Sequence, residues 1–109
     1  LLQVVDRLTD EIYCVYTDYE SDFTGFYTAI LGCRVSSLDN IPEGLISLIV
    51  PPGNYVKYTA EGRIPDCIAE TWQQIWSSDI RRKYTADFDL YGLKARDSEN
   101  ARVEIYVAI

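Results

Sequence analysis

Ala101-Arg102-Val103-Glu104-Ile105-Tyr106-Val107-Ala108-Ile109 sets a carboxylate in the middle of an otherwise apolar strand. Val103, Ile105, Val107 and Ile109 alternate with Glu104, Tyr106 and Ala108, the period-two pattern of a strand whose two faces differ. One face is core. The other carries an acid two residues from an aromatic, and the neighbouring Tyr106 and Ala108 point to a surface that is at least partly enclosed. A carboxylate there has to be paired, hydrogen-bonded or protonated, because leaving the bare charge buried costs several kcal/mol. The pattern asks for a cation.

Working outward, residues 65–76 (Pro-Asp-Cys-Ile-Ala-Glu-Thr-Trp-Gln-Gln-Ile-Trp) form the clearest helix. Pro65 falls at its first turn, and Ile68, Trp72, Ile75 and Trp76 make one apolar stripe that holds both tryptophans of the chain. Residues 87–91 read as a strand that leads through a turn at 92–100 into the final strand. Residues 11–18 and 26–35 read as a β-hairpin around the polar connection 19–25. Residues 45–50 are an apolar run halted by Pro51-Pro52-Gly53, and 55–60 resume as strand; the two are expected to be one strand bent at the prolines, or two short ones. Residues 1–8 carry a short helical spacing (Leu1, Val4, Val5, Leu8), and 36–44 are a connector. The expected order is three strands, a helix and two strands. The unit strand–helix–strand–strand is complete from 45 to 109, and the hairpin at 11–35 matches the last two strands of an earlier, incomplete copy. The expected fold is α+β: an antiparallel sheet with pseudo-twofold strand–helix–strand–strand repeats, the first incomplete.

With 109 residues the chain is expected to be one domain, 1–109, and 48% hydrophobic residues suffice for one core. No run approaches the roughly 18 apolar residues of a membrane span. The start shows no basic n-region or cleavage site, and Leu1 is not an initiator methionine, so the natural N-terminus is expected upstream. A net charge of −7 argues against direct nucleic-acid binding, which depends on neutralising phosphates. Cys14, Cys33 and Cys67 are odd in number and form no CxxC pair, so neither a disulfide framework nor a zinc site is expected, and the cytoplasm is the expected compartment. Histidine is absent, which removes Ser-His and Cys-His activation together with the commonest metal ligand. No catalytic residue, metal set or cofactor is read from the chain. Asp10, Glu11, Asp18, Glu20 and Asp22 read as a solvated edge or as a field steering cations, and Arg81-Arg82-Lys83 as solvated surface.

The tyrosine-rich hairpin ending in Gly32-Cys33-Arg34-Val35, the bend Val50-Pro51-Pro52-Gly53-Asn54-Tyr55, the helix segment Glu70-Thr71-Trp72-Gln73-Gln74-Ile75-Trp76 and the strand Val103-Glu104-Ile105-Tyr106-Val107 together resemble the gyrase-inhibitor-like family. That family comprises the effector-binding domains of AraC-type and MerR-type multidrug-responsive regulators and stand-alone forms, some carried on mobile integron gene cassettes. The resemblance covers residues 11–109. It implies an aromatic pocket between two repeats with a carboxylate at its base that meets lipophilic cations. Glu104 matches that carboxylate, Trp72 and Trp76 the helix aromatics, and Tyr106 a lining tyrosine, while Tyr16, Tyr55 and Tyr91 are further candidates. The chain departs from the family in lacking the first strand and most of the first helix, and it has no helix-turn-helix segment. A second copy of the chain, or a separate DNA-binding partner, would then complete a pocket or a regulator.

The expected function is the binding of cationic lipophilic small molecules, drugs or dyes, as a sensor or sequestering module and not as an enzyme. Two rivals stand beside it. In one, Glu104 with an aromatic neighbour activates water in a hydrolase of strained electrophiles. In the other, the same groove binds a protein, as in the gyrase-inhibitor type.

Overall fold

The computed structural model describes residues 4, 6–21 and 24–109. Five strands form one antiparallel sheet: β1 (Ile12–Thr17), β2 (Thr28–Gly32), β3 (Tyr55–Gly62), β4 (Ala86–Tyr91) and β5 (Ala101–Ala108), in the order β2-β1-β4-β5-β3. Among the described residues one α-helix, α1 (Asp66–Trp76), lies between β3 and β4, and a single 3-10 turn, Leu93–Ala95, lies between β4 and β5. The order explains the pseudo-twofold grammar of the sequence. In the complete unit the sheet runs β4-β5-β3, and the hairpin β1-β2 repeats β4-β5 on the other side of the antiparallel β1–β4 pair. Among the described residues the first copy has no counterpart of β3 or of α1, as expected for an incomplete repeat.

The helix docks through part of the stripe that the sequence set out, since Trp76 at its end stays 44% exposed. Cys67, Thr71, Trp72 and Ile75 are buried, and Trp72 and Ile75 join Ala60, Val103, Ile105 and Val107 in one core cluster. Val103, Ile105 and Val107 have no exposed surface, so each contributes about 1.5–3 kcal/mol of burial. Asp66 in the first turn favours the helix through its dipole. The chain reverses from β3 into this helix at Gly62, whose φ of +131° is open to glycine and rarely to other residues.

Register fixes the two faces of the sheet. Tyr106 stands opposite Phe88 and Lys57, Glu104 opposite Leu90 and Thr59, and Ile105 opposite Asp89 and Tyr58. Tyr13 and Val15 stand opposite Leu90 and Phe88, and Tyr16 opposite Asp87. Because side chains alternate along each strand, Tyr13, Tyr55, Lys57, Phe88, Leu90, Glu104 and Tyr106 share one face. Tyr16, Asp87, Asp89, Tyr91, Val103, Ile105 and Val107 share the other, which meets α1.

Three expectations change. Residues 45–50 form no strand, and Ile46 and Ile49 are about three-quarters exposed at 73% and 74%. β3 pairs with β5 only from Tyr55 onward, so the segment before the two prolines has no ladder to join. Half of the helical lead-in at 1–8 lies outside the described residues; the described half is not helical, and Arg7 within it makes a β-bridge to Val35. The basic run does not all face solvent, for the Arg82 side chain is only 4% exposed, drawn inward by the buried Asp87 five residues later.

Candidate ligand-binding site

The residues expected to form one pocket fall on opposite faces of the sheet. Glu104, Tyr106 and Tyr55 are on the face without the helix, and Tyr16, Tyr91, Trp72 and Trp76 are on the helix side. The physical reason lies in β5: the apolar stripe of α1 packs on Val103, Ile105 and Val107, and alternation then turns Glu104 and Tyr106 away from it.

On the helix-free face, Phe88 is the centre of an aromatic platform. Its ring stacks on Tyr106 with centroids 4.8 Å apart and planes 21° apart, and it lies 5.7 Å from both Tyr13 and Tyr55. The Tyr106 hydroxyl donates to Glu104 Oε2 at 2.9 Å, and Lys57 Nζ sits 3.8 Å from Glu104 Oε1. Partial burial, followed by the bond to Glu104, pushes the Tyr106 phenol up. Burial likewise raises Tyr55, whose hydroxyl donates to the carbonyl of Pro51 at 2.9 Å. Glu104 is one-third exposed (32%) and Lys57 more than half (55%), so the ion pair is wet and weak. Beside the platform a cavity of about 470 Å³ is lined by Glu11, Leu90, Lys94, Arg96, Arg102 and Glu104, among others. That volume is in the range of about 300–1,000 Å³ typical of small-molecule sites.

The helix side has a different character. Asp87 and Asp89 are fully buried beneath aromatic rings. Asp89 accepts from the Tyr16 hydroxyl at 2.7 Å and from Trp72 Nε1 at 3.1 Å, and lies beside Tyr91. Burial pushes the Asp89 carboxyl up, and the bonds from Tyr16, Trp72 and Tyr91 draw it partly back. Asp87 accepts from Arg82 Nη2 and from the Ala108 amide, both at 2.8 Å, and from the Tyr19 hydroxyl. The Arg82 guanidinium lies over the rings of Tyr84, Trp72 and Tyr19, at 4.4, 5.5 and 5.9 Å from their centroids. Tyr16, Trp72 and Trp76 do meet in a second, smaller cleft there, with Tyr19, Tyr27 and Arg82. Tyr91 packs against the core beside Asp89 and does not line that cleft.

Sequence reading missed Phe88, Asp87, Asp89 and Arg82. The signal was present in Ala86-Asp87-Phe88-Asp89-Leu90-Tyr91, which alternates as strictly as β5 and puts two acids on one face and Phe88 and Leu90 on the other. Among the described residues no group of three or more His, Cys, Asp or Glu is placed to hold a metal ion, and no helix is long and apolar enough to cross a membrane.

Comparison with known proteins agrees with the motifs. The family model described as integron-associated effector binding protein matches residues 4–109. The chain belongs to this effector-binding family. It is 36% identical over 101 residues to the "Putative transcriptional regulator protein YobU" of Bacillus subtilis, covering 90% of this chain and 63% of that protein. It is 29% identical over 92 residues to the "Transcriptional regulator BrlR" of Pseudomonas aeruginosa, covering 78% of this chain and 34% of that protein. The chain thus spans under two-thirds of the length of either relative. Small-molecule effector binding, in general terms, is what family membership assigns to it.

Proposed function

We propose that the helix-free face of the sheet binds a planar, lipophilic cation, with Glu104 holding the charge and the Phe88–Tyr106 platform the flat body. The observation that carries this reading is the setting of Glu104. It sits at the edge of four clustered aromatic rings, and its ion-pair partner among the described residues is the half-exposed Lys57, 3.8 Å away. An incoming cation replaces a loosely held ammonium and so uncovers no buried charge. Ring faces attract a desolvated cation by about 0.5–2 kcal/mol, and flat apolar bodies add stacking and burial. A rigid ligand of about 25 heavy atoms at about 0.3 kcal/mol per atom gains about 7–8 kcal/mol, a low-micromolar affinity.

The two clefts differ in how their acids are reached: Asp87 and Asp89 on the helix side are fully buried and already hold Arg82, Tyr19, Tyr16 and Trp72, whereas Glu104 is one-third exposed (32%) and open to an incoming ligand. Relatives named as transcriptional regulators support a sensing role, in which the bound state is read by a DNA-binding segment or partner outside the described residues.

The test is Glu104→Gln, which keeps shape and removes charge. Affinity for a planar cationic dye is expected to fall at least about tenfold, equivalent to about 1.4 kcal/mol, while a neutral isostere of the dye is unaffected. Equal losses for the two ligands would remove Glu104 from the site.

A further inference from the structure

We infer that the ligand of the helix-free face is a zwitterion: a flat aromatic body with a cationic nitrogen and, about 7 Å along the strand, a carboxylate that enters the cavity of Lys94, Arg96 and Arg102. The inference rests on the reading of Glu104 given above and adds the second charge of the ligand. Three observations select that chemistry.

The first is the order of side chains along β5. Arg102, Glu104 and Tyr106 alternate onto one face, so a base, an acid and an aromatic follow one another in steps of about 7 Å. Tyr106 belongs to the stacked platform and Arg102 to the cavity. Glu104 stands between them, lining the cavity and accepting from the Tyr106 hydroxyl. A ligand that lies on the rings with its cation at Glu104 meets Arg102 next as it continues along the strand.

The second is the charge of the cavity. Three acids, Asp10, Glu11 and Glu104, and three bases, Lys94, Arg96 and Arg102, line it. Among the described residues no ion pair joins any of these acids to any of these bases. In a chain of net charge −7 the cavity wall thus sums to zero, with both signs present and not neutralising each other. A simple cation or a simple anion meets like charges here as well as opposite ones. A zwitterion sets each of its charges against the opposite sign and leaves the sum unchanged.

The third is which of these groups are already engaged. The Thr9 hydroxyl donates to Glu11 Oε1 at 3.2 Å, and Glu104 accepts from Tyr106 and pairs with Lys57. Lys94 and Arg96 have no ion-pair partner among the described residues. Arg102 Nε lies 3.6 Å from Glu61 Oε1, a wet pair with side chains 46% and 66% exposed. What the cavity leaves unmatched is therefore positive charge. Arginine forks match a carboxylate with paired hydrogen bonds, and Leu90 and Leu93 give the arm that carries it an apolar wall.

The experiment compares three dyes built on one xanthene ring system by fluorescence anisotropy: tetramethylrhodamine, a zwitterion; its methyl ester, a cation; and fluorescein in mildly alkaline buffer, an anion. Tetramethylrhodamine is expected to bind about fivefold tighter than the ester, the upper end of what an exposed charge pair contributes, with fluorescein weakest. The ester is the more apolar of the two rhodamines, so burial alone gives the reverse order. Arg96→Gln combined with Arg102→Gln, both at exposed positions, is expected to remove the preference for the acid over the ester while circular dichroism stays unchanged. Arg63→Gln combined with Arg81→Gln removes the same charge outside the cavity and is expected to keep the preference. Glu104→Gln is expected to weaken both rhodamines. Equal affinities of the two rhodamines in the parent protein, fluorescein binding as tight as that of tetramethylrhodamine, or a preference that survives the Arg96 and Arg102 substitutions overturns the inference alone, provided that Glu104→Gln still weakens both rhodamines. Rhodamine affinities that do not fall in Glu104→Gln, or no saturable binding of either, overturn the inference together with the reading on which it rests.

Discussion

Removing Lys57 should strengthen the binding of cations, an outcome opposite to that of most truncations at a binding site. Lys57 Nζ lies 3.8 Å from Glu104 Oε1, with the two side chains 55% and 32% exposed. Pairs of this kind are worth about 0.2–1 kcal/mol after screening and side-chain entropy. A cationic ligand that takes Glu104 must first give up that interaction, so Lys57→Gln returns the same energy to binding. The expected gain is about 1.4-fold to fivefold in affinity. Little stability is at stake, since a solvated substitution on an edge strand usually changes folding by less than about 0.5 kcal/mol. Lys83→Gln alters net charge equally without touching Glu104, and serves as the control. The assay is fluorescence titration of a planar cationic dye and its neutral isostere at low and high ionic strength. Only the cation should gain, only in Lys57→Gln, and the gain should shrink as salt screens the pair. Equal behaviour of the two variants, or a loss of affinity in Lys57→Gln, refutes the view that the ligand charge and Lys57 compete for one carboxylate.

On the helix side, Arg82→Gln leaves Asp87 with no cation while it remains fully buried, and should cost about 3–5 kcal/mol in urea unfolding; a loss under 1 kcal/mol would mean that Asp87 is held by Tyr19 and the Ala108 amide alone. Burial, reinforced by Asp89 for Tyr16 and Tyr91 and by Asp87 for Tyr19, lifts all three phenols above their ordinary value near 10. The folded state therefore binds more protons than the unfolded chain above that pH, and stability is complete below about pH 10 and falls beyond it, with a slope approaching about 4 kcal/mol per pH unit for three phenols. Urea midpoints that stay flat from pH 9 to 11 would contradict this.

Much of the fold could be read from alternation alone. β5 gave its own two faces, the stripe Ile68, Trp72, Ile75 gave the helix, and the hairpin and final strands followed from tyrosine and β-branched spacing. What alternation does not say is which face a helix covers. The answer was implicit in β5, since an apolar helical stripe must dock on Val103, Ile105 and Val107, which sends Glu104 to the far side. Placing Trp72 and Glu104 in one pocket joined two surfaces that the sheet keeps apart. Residues 45–50 have the composition of a strand, but a strand needs a ladder partner, which composition does not supply. Arg82 was illegible for a related reason. Within a basic triplet every residue looks solvated, and its burial depends on Asp87 and three aromatic rings that only the folded chain assembles.

A crystal structure of the protein with a planar cationic dye tests the central claim most directly. The expected complex has the cationic nitrogen within about 4 Å of the Glu104 carboxylate, the flat body over Phe88 and Tyr106, and Lys57 displaced toward solvent. A dye seated between Trp72 and Trp76, with the Glu104–Lys57 pair undisturbed across the sheet, would contradict it.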